Sequence, residues 1–191
     1  LSDTGDSVFG GATGDSTVIL EELLRQNPDE LALLPMADAE VAAAAHAAGE
    51  GGHLSMLIGG KLDSRFSQPI HIDARVAKLG GGRIDEEIVG MESFDMGDSA
   101  LLEVGNIRIV VTSERAIGGN HPIVYRHFGL DPADAKMVVI KTASNWQYYD
   151  SMTSEVIRVD TPGATMSDLH GFDWQLLTRP MYPFDEMDNW R

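Results

Sequence analysis

The chain has 191 residues, 43% of them apolar, and a formal net charge of −16 from 14 basic and 30 acidic side chains. That length holds one sizeable domain with its own core, and the apolar content is too high for a disordered chain. The shortage of Lys and Arg excludes a phosphate-binding nucleic-acid surface, no apolar run approaches the roughly 18 residues of a membrane span, and the lack of cysteine excludes disulfides and thiolate metal ligands. The acidity reads as solubility. With no leader pattern at its start, the chain is expected to be cytoplasmic. It begins with Leu rather than Met, which fits a processed or trimmed chain, or a piece of a longer one.

The first feature is a Gly-rich loop, "GDSVFGGATGDST", from Gly5 to Thr17. Asp15 or Ser16 is expected to cap a helix over about residues 16 to 27, which Asn27-Pro28 ends. Leu31 to Met36 is a short apolar run. Asp38 then caps an alanine-rich helix, "AEVAAAAHAA", with Gly49 at its left-handed end. "HLSMLIGG" reads as a strand. In "PIHIDARVAKL", Ile70, Ile72, Ala74 and Val76 share one face while His71, Asp73 and Arg75 share the other. "LGGGR" reads as a turn and "RIDEEIV" as the returning strand. "ALLEV" and "IRIVVTS" form a hairpin around Gly105-Asn106. A short helix fits between Pro122 and Gly129. "KMVVIKT" reads as a strand buried on both faces, "SNWQYYDSM" as a short helix and "EVIRVD" as a strand. From Thr161 to Arg191 the chain reads as an irregular tail. The expected fold is a single α/β domain with a mixed, hairpin-rich sheet flanked by about four helices.

Few residues carry a recognisable chemical pattern. The six histidines show neither HExxH nor His-x-His spacing, so no zinc motif is present. "GDS" occurs at Gly5, Gly14 and Gly97, and a turn plus a cap accounts for each; no G-x-S-x-G elbow follows a strand. Lys141 ends the apolar strand, where open α/β sheets bind ligands. It either anchors a carboxylate or snorkels to the surface. Trp146, Tyr148 and Tyr149 follow it and line either a pocket or the core. The Gly-rich loop has two readings. It is a flexible turn into a helix, or its bared N–H groups and the helix dipole hold a carboxylate or phosphate.

Several segments, taken in order, resemble a known family. They are "GDSVFGGATGDST", "AAAAHAAGEGG" with "LIGGKLD", "VVTSER", "FGLDPADAKMVVIKTASN", "VDTPG" and "RPMYPFD". Together they are similar to the C-terminal domain of the microcystinase C (MlrC-like) family of zinc metallopeptidases, over essentially the whole chain. The resemblance implies a parent protein of about twice this length or more, whose N-terminal α/β domain carries the metal ligands. Zinc is then expected in that missing domain and none in this chain. The substrate class implied is a small linear peptide or related amide, hydrolysed in a cleft of which this domain forms a wall. The signature carried over is Gly10, Gly11, Gly14, Asp15, Ser16 and Thr17 in the loop, Gly60 and Lys61 after the strand, and Lys141 and Thr142 before the aromatic segment. Asn145 stands where many relatives have a His; an amide does not shuttle protons near neutral pH. On this reading these residues contact substrate, the partner is the protein's own N-terminal domain, and the chain alone is inactive. The alternatives from other classes are an anion or small-molecule binding module, and a scaffold or homodimerisation domain.

Overall fold

The computed structural model describes residues 1–87, 90, 92–115 and 120–187. Its main sheet runs in the order β3-β4-β5-β6-β2-β7. The strands are β2 (Ala32–Ala37), β3 (His53–Ile58), β4 (Ile70–Ile84), β5 (Phe94–Val104), β6 (Ile107–Thr112) and β7 (Met137–Val138). Neighbours from β3 to β6 are antiparallel, while β6, β2 and β7 are parallel. A parallel pair, β1 (Ser2–Asp3) with β8 (Arg158–Val159), joins this sheet through a bridge from Ser2 to Ile140. The helices are α1 (Val18–Gln26), α2 (Ala39–Ala48) and α3 (Pro122–His127), supplemented by short 3-10 turns.

The β2 and β6 part of the mixed sheet is buried on both faces because helices cover both, while β3 and the first half of β4 are covered on one face only. Leu34, Met36, Ile72, Val76, Leu102 and Ile109 meet Leu20, Leu23, Val41 and Ala45 of α1 and α2. On the other face Leu33, Leu101 and Val110 meet Val124, Tyr125 and Phe128 from α3 and its end. Adjacent residues of β2 therefore serve opposite cores, as a period of two requires. The predicted alternation of β4 holds: Ile72, Ala74 and Val76 are buried, and His71, Asp73 and Arg75 are exposed. Asp38 caps α2 through the Val41 N–H, and the hairpin around Gly105-Asn106 forms as expected.

Three expectations are corrected, and one unassigned run gains an element. The helix expected from residue 16 starts at Val18, with Thr17 at its cap position and no side-chain cap bond. The apolar run at Leu31 is the parallel strand β2, central to the sheet. "LGGGR" does not turn; β4 continues to Ile84, with a register shift between Gly81 and Arg83. Glycine is required at Gly80 because the Phe128 ring would lie 2.9 Å from an added Cβ. The expected return strand is thus divided: Arg83 and Ile84 end β4, Asp85–Glu87 lie outside any strand, and Ile88 and Val89 lie outside the described residues.

"KMVVIKT" is a strand only over Met137–Val138. The Met137 and Val139 amides donate to Leu31 and Leu33 of β2. The next rung of a parallel ladder needs an N–H at position 35, and Pro35 has none. The ladder ends there. Val139 and Ile140 remain buried, and the chain delivers Lys141 beyond the carboxyl end of the sheet.

Candidate functional site

Loops converge where the parallel strands end. The Ala37 N–H at the end of β2 donates to the Gly14 carbonyl, and the Asp38 N–H to Thr112 at the end of β6. The Gly-rich loop therefore sits at the carboxyl end of β2 and beside the chain that continues β7, where the Val8 N–H donates to the Lys141 carbonyl, on the ligand-binding side of an open α/β sheet. The turn after β3 closes on it, with the Gly60 N–H donating to the Asp15 carbonyl at 2.7 Å.

Asp6 organises the loop. One carboxylate oxygen accepts from the Gly14 N–H at 2.8 Å, and the other from the Ser16 N–H and from Lys141 Nζ, each at 2.8 Å. Lys141 Nζ also donates to the Ser16 carbonyl at 3.0 Å and lies 3.6 Å from Asp3 Oδ2. Lys141 is only 2% exposed and Asp6 likewise. Burial by itself would lower the Lys141 pKa. The Asp6, Asp3 and Asp15 carboxylates outweigh burial and hold the ammonium above its ordinary value. Lys141 thus neither snorkels nor presents a free charge to solvent: it is the internal counter-ion of an acidic cluster. Asn120 fixes its backbone, accepting from the Lys141 N–H and donating to its carbonyl.

Asp15 and Asp38 hold the turn after β3. Asp15 Oδ2 accepts from the Lys61 and Leu62 N–H groups, each at 2.8 Å, in place of the predicted helix cap. Asp38 adds to its α2 cap a bond from the Gly59 N–H. Lys61 Nζ lies 3.0 Å from Asp38 and 2.7 Å from Glu40, carboxylates that keep its pKa raised against partial burial. Thr17 Oγ1 donates to the Gln68 carbonyl, and the buried Ser16 hydroxyl has no partner among the described residues. Thr142 accepts at its carbonyl from Ser2 Oγ and at its own hydroxyl from the Ser144 N–H.

A second segment, "TPGAT", locks the loop from the other side. Thr161 Oγ1 donates to Asp3, and Thr165 Oγ1 contacts the carbonyls of Thr4 and Gly5 while accepting from the Ser7 N–H. Gly163 meets Gly5 backbone to backbone; a Cβ on Gly163 would lie 1.9 Å from the Gly5 oxygen. Two segments 158 to 161 positions apart are thereby pinned together.

The predicted site residues therefore divide. Gly14, Asp15, Ser16, Thr17, Lys141 and Thr142 are buried and bonded into the fold. Gly10, Gly11 and Lys61 are exposed, and Asn145 is half-buried in a 3-10 turn, its Oδ1 accepting from Ser144 Oγ. The N–H groups predicted to be bare at Gly14 and Ser16 are engaged by Asp6, and those of Gly10, Gly11 and Ala12 by Ser7 and Val8 carbonyls. Sequence reasoning missed Asp3, Asp6, Asn120, Thr161 and Thr165. Asp6 carried a signal, as part of a "GDS" read as a local turn, and so did Thr161, inside the "VDTPG" segment. The exposed Phe9 at the loop tip was also missed.

Two histidines serve the fold. His46 Nε2 lies 3.1 Å from both the Gly80 and Ser99 carbonyls, and His121 Nδ1 accepts from the Ile123 N–H at the start of α3. Among the described residues no group of three or more His, Cys, Asp or Glu side chains could hold a metal. The acidic cluster does not fit zinc, because its carboxylates already face Lys141 and backbone N–H groups. Among the described residues no helix is long and apolar enough to cross a membrane.

Comparison with known proteins gives concordant results. The chain is 23% identical over 188 residues to microcystinase C from Sphingomonas sp., covering 97% of this chain and 35% of that protein. It is similar in structure to a "putative metallopeptidase" from Mesorhizobium sp. BNC1, with a TM-score of 0.84 and 29% identity, over 100% of this chain and 38% of that one. It thus spans little more than a third of these relatives' length. The model of the MlrC C-terminus matches residues 1–175, and the chain belongs to that family.

Proposed function

We propose that this chain is the C-terminal domain of a zinc-dependent peptidase or amidohydrolase acting on small peptides or related amides. It walls the cleft while the N-terminal part of the protein supplies the metal. The observation that carries this reading is the Gly-rich loop lying at the carboxyl end of β2 with Phe9, Gly10 and Gly11 exposed at its tip, the side on which open α/β sheets bind ligands. The likeness to microcystinase C and to a metallopeptidase supports the reaction class. In this assignment Gly10, Gly11, Lys61 and Asn145 face the substrate. Gly14, Asp15, Ser16, Thr17, Lys141 and Thr142 set the position of the loop. No chemical step is assigned to this chain's own side chains.

The test uses the full-length protein, with and without chelation, on short linear peptides. Metal-dependent hydrolysis by the full-length protein, with no activity and no tight zinc binding by residues 1–191, is the expected result. Metal-dependent hydrolysis by residues 1–191 alone would overturn the division of labour. The internal engagement of the loop also favours a second reading, a scaffold or dimerisation domain that never touches substrate. Phe9→Ala in the full-length protein separates the two: cleft contact raises KM, whereas a scaffold leaves KM unchanged.

A further inference from the structure

A cleft of about 550 Å³ opens between β7 and β8 beside Leu1. Lys136 to Val138 form one wall and Glu155 to Ile157 the other, with Trp146 and Tyr149 lining it. The buried Tyr149 hydroxyl has no partner among the described residues.

The hydrogen bonds around β1 show what shape belongs there. β1 lies between the two walls as a middle strand. On one side the Leu1 amino group donates to the Val138 carbonyl, the Ile140 N–H to Leu1 and the Asp3 N–H to Ile140, at 2.7, 2.9 and 2.9 Å. On the other side the Ser2 N–H donates to Ile157 and the Thr4 N–H to Val159, at 2.8 and 3.0 Å. Odd positions thus bond the β7 side and even positions the β8 side, the alternation of a parallel strand. One step back along the same ladders, each wall presents a donor. The Val139 amide points to β2 and the Val138 carbonyl to Leu1, so the Val138 N–H points into the gap, while the Lys136 amide donates to Leu31. Opposite it is the Ile157 N–H, whose residue's carbonyl accepts from Ser2. Neither the Val138 nor the Ile157 amide finds a partner among the described residues. Unpaired strand groups of this kind template another strand.

We propose that the cleft seats an extended polypeptide segment as a backward continuation of β1, and that its occupant is the stretch immediately upstream of Leu1 in the longer protein. The first upstream residue accepts from the Ile157 N–H, and the second accepts from the Val138 N–H. This rests on the longer parent assumed in the proposed function and on no feature of its activity. The relatives provide the chain length required, since this chain covers only 35% and 38% of them.

Amide hydrogen exchange of the full-length protein, read residue by residue, is the test. The Val138 and Ile157 amides should exchange at least about tenfold more slowly than in residues 1–191, as expected when a freely exchanging group joins a ladder. If residues 1–191 do not fold alone, backbone proton contacts in the full-length protein decide: the second upstream residue must lie beside Lys136 and Val138. Fast exchange at both amides, an upstream chain that leaves elsewhere, or a second copy or a substrate peptide in the cleft would each overturn the assignment. Loss of peptidase activity would not, so this failure and that of the proposed function are separable.

Discussion

Replacing Lys141 by Met tests whether the loop is held by a buried charge pair. The substitution keeps most of the side-chain volume but removes the ammonium from Asp6 at 2.8 Å and Asp3 at 3.6 Å. Asp6 keeps the Gly14 and Ser16 N–H groups, while Asp3 Oδ2 has no hydrogen bond of its own. Stripping one partner from a buried pair costs about 3–5 kcal/mol, a large share of the roughly 5–15 kcal/mol that holds a domain together. Asp6→Asn should cost somewhat less, because it removes the ammonium's nearest carboxylate but leaves Asp3 and Asp15. The double variant should be less destabilised than the sum of the singles by about 2 kcal/mol, within the range for groups in direct contact. Urea unfolding at neutral pH reads all three. There is also a pH arm. Burial lowers the Lys141 pKa and the three aspartates more than restore it, so the folded value lies above the unfolded one. Its contribution is fully present below the unfolded value of about 10.4 and is lost as pH rises through the folded value. The gap between wild type and Lys141→Met should therefore hold at pH 7–10 and shrink above it. Singles costing under about 1 kcal/mol, strict additivity, or a gap unchanged at alkaline pH would refute the reasoning.

Two other substitutions probe the same loop. Gly163→Ala places a Cβ 1.9 Å from the Gly5 carbonyl oxygen, so a backbone must shift at a cost of about 1–3 kcal/mol; Gly11→Ala, where nothing lies within 4 Å, should cost less despite its positive φ, and matching urea midpoints would show that the close approach is not tight. Asp15→Ala removes the shared acceptor of the Lys61 and Leu62 amides, for about 1–3 kcal/mol, and those two amides should lose exchange protection before the rest of the domain does.

Where the chain's local pattern and its tertiary environment agree, the sequence was readable. The alternating face of β4, the Gly105-Asn106 hairpin and the Asp38 cap of α2 depend on neighbours a few positions away. The misread elements are those in which a distant residue decides. The run at Leu31 carried no element assignment because Pro35 lies within it, yet the missing N–H faces the rung at which β7 stops, so it costs the sheet little. Gly80 looked like a turn because the Phe128 ring that needs the space comes 48 positions later. The site follows the same rule. The loop was located correctly, but Asp6 was assigned to a local turn because its partner Lys141 lies 135 positions away. Three "GDS" triplets look alike in sequence; only the surroundings separate an organising carboxylate from an ordinary cap. The consequence reaches the function. A family signature made largely of residues that bond to one another reports where a loop must be held, and it says little about what the loop touches. On the proposed reading substrate contact falls to Lys61, Asn145 and the loop tip at Phe9, Gly10 and Gly11. Selectivity at the tip would come from shape and backbone, with the buried Asp15 and Lys141 acting from beneath as its support.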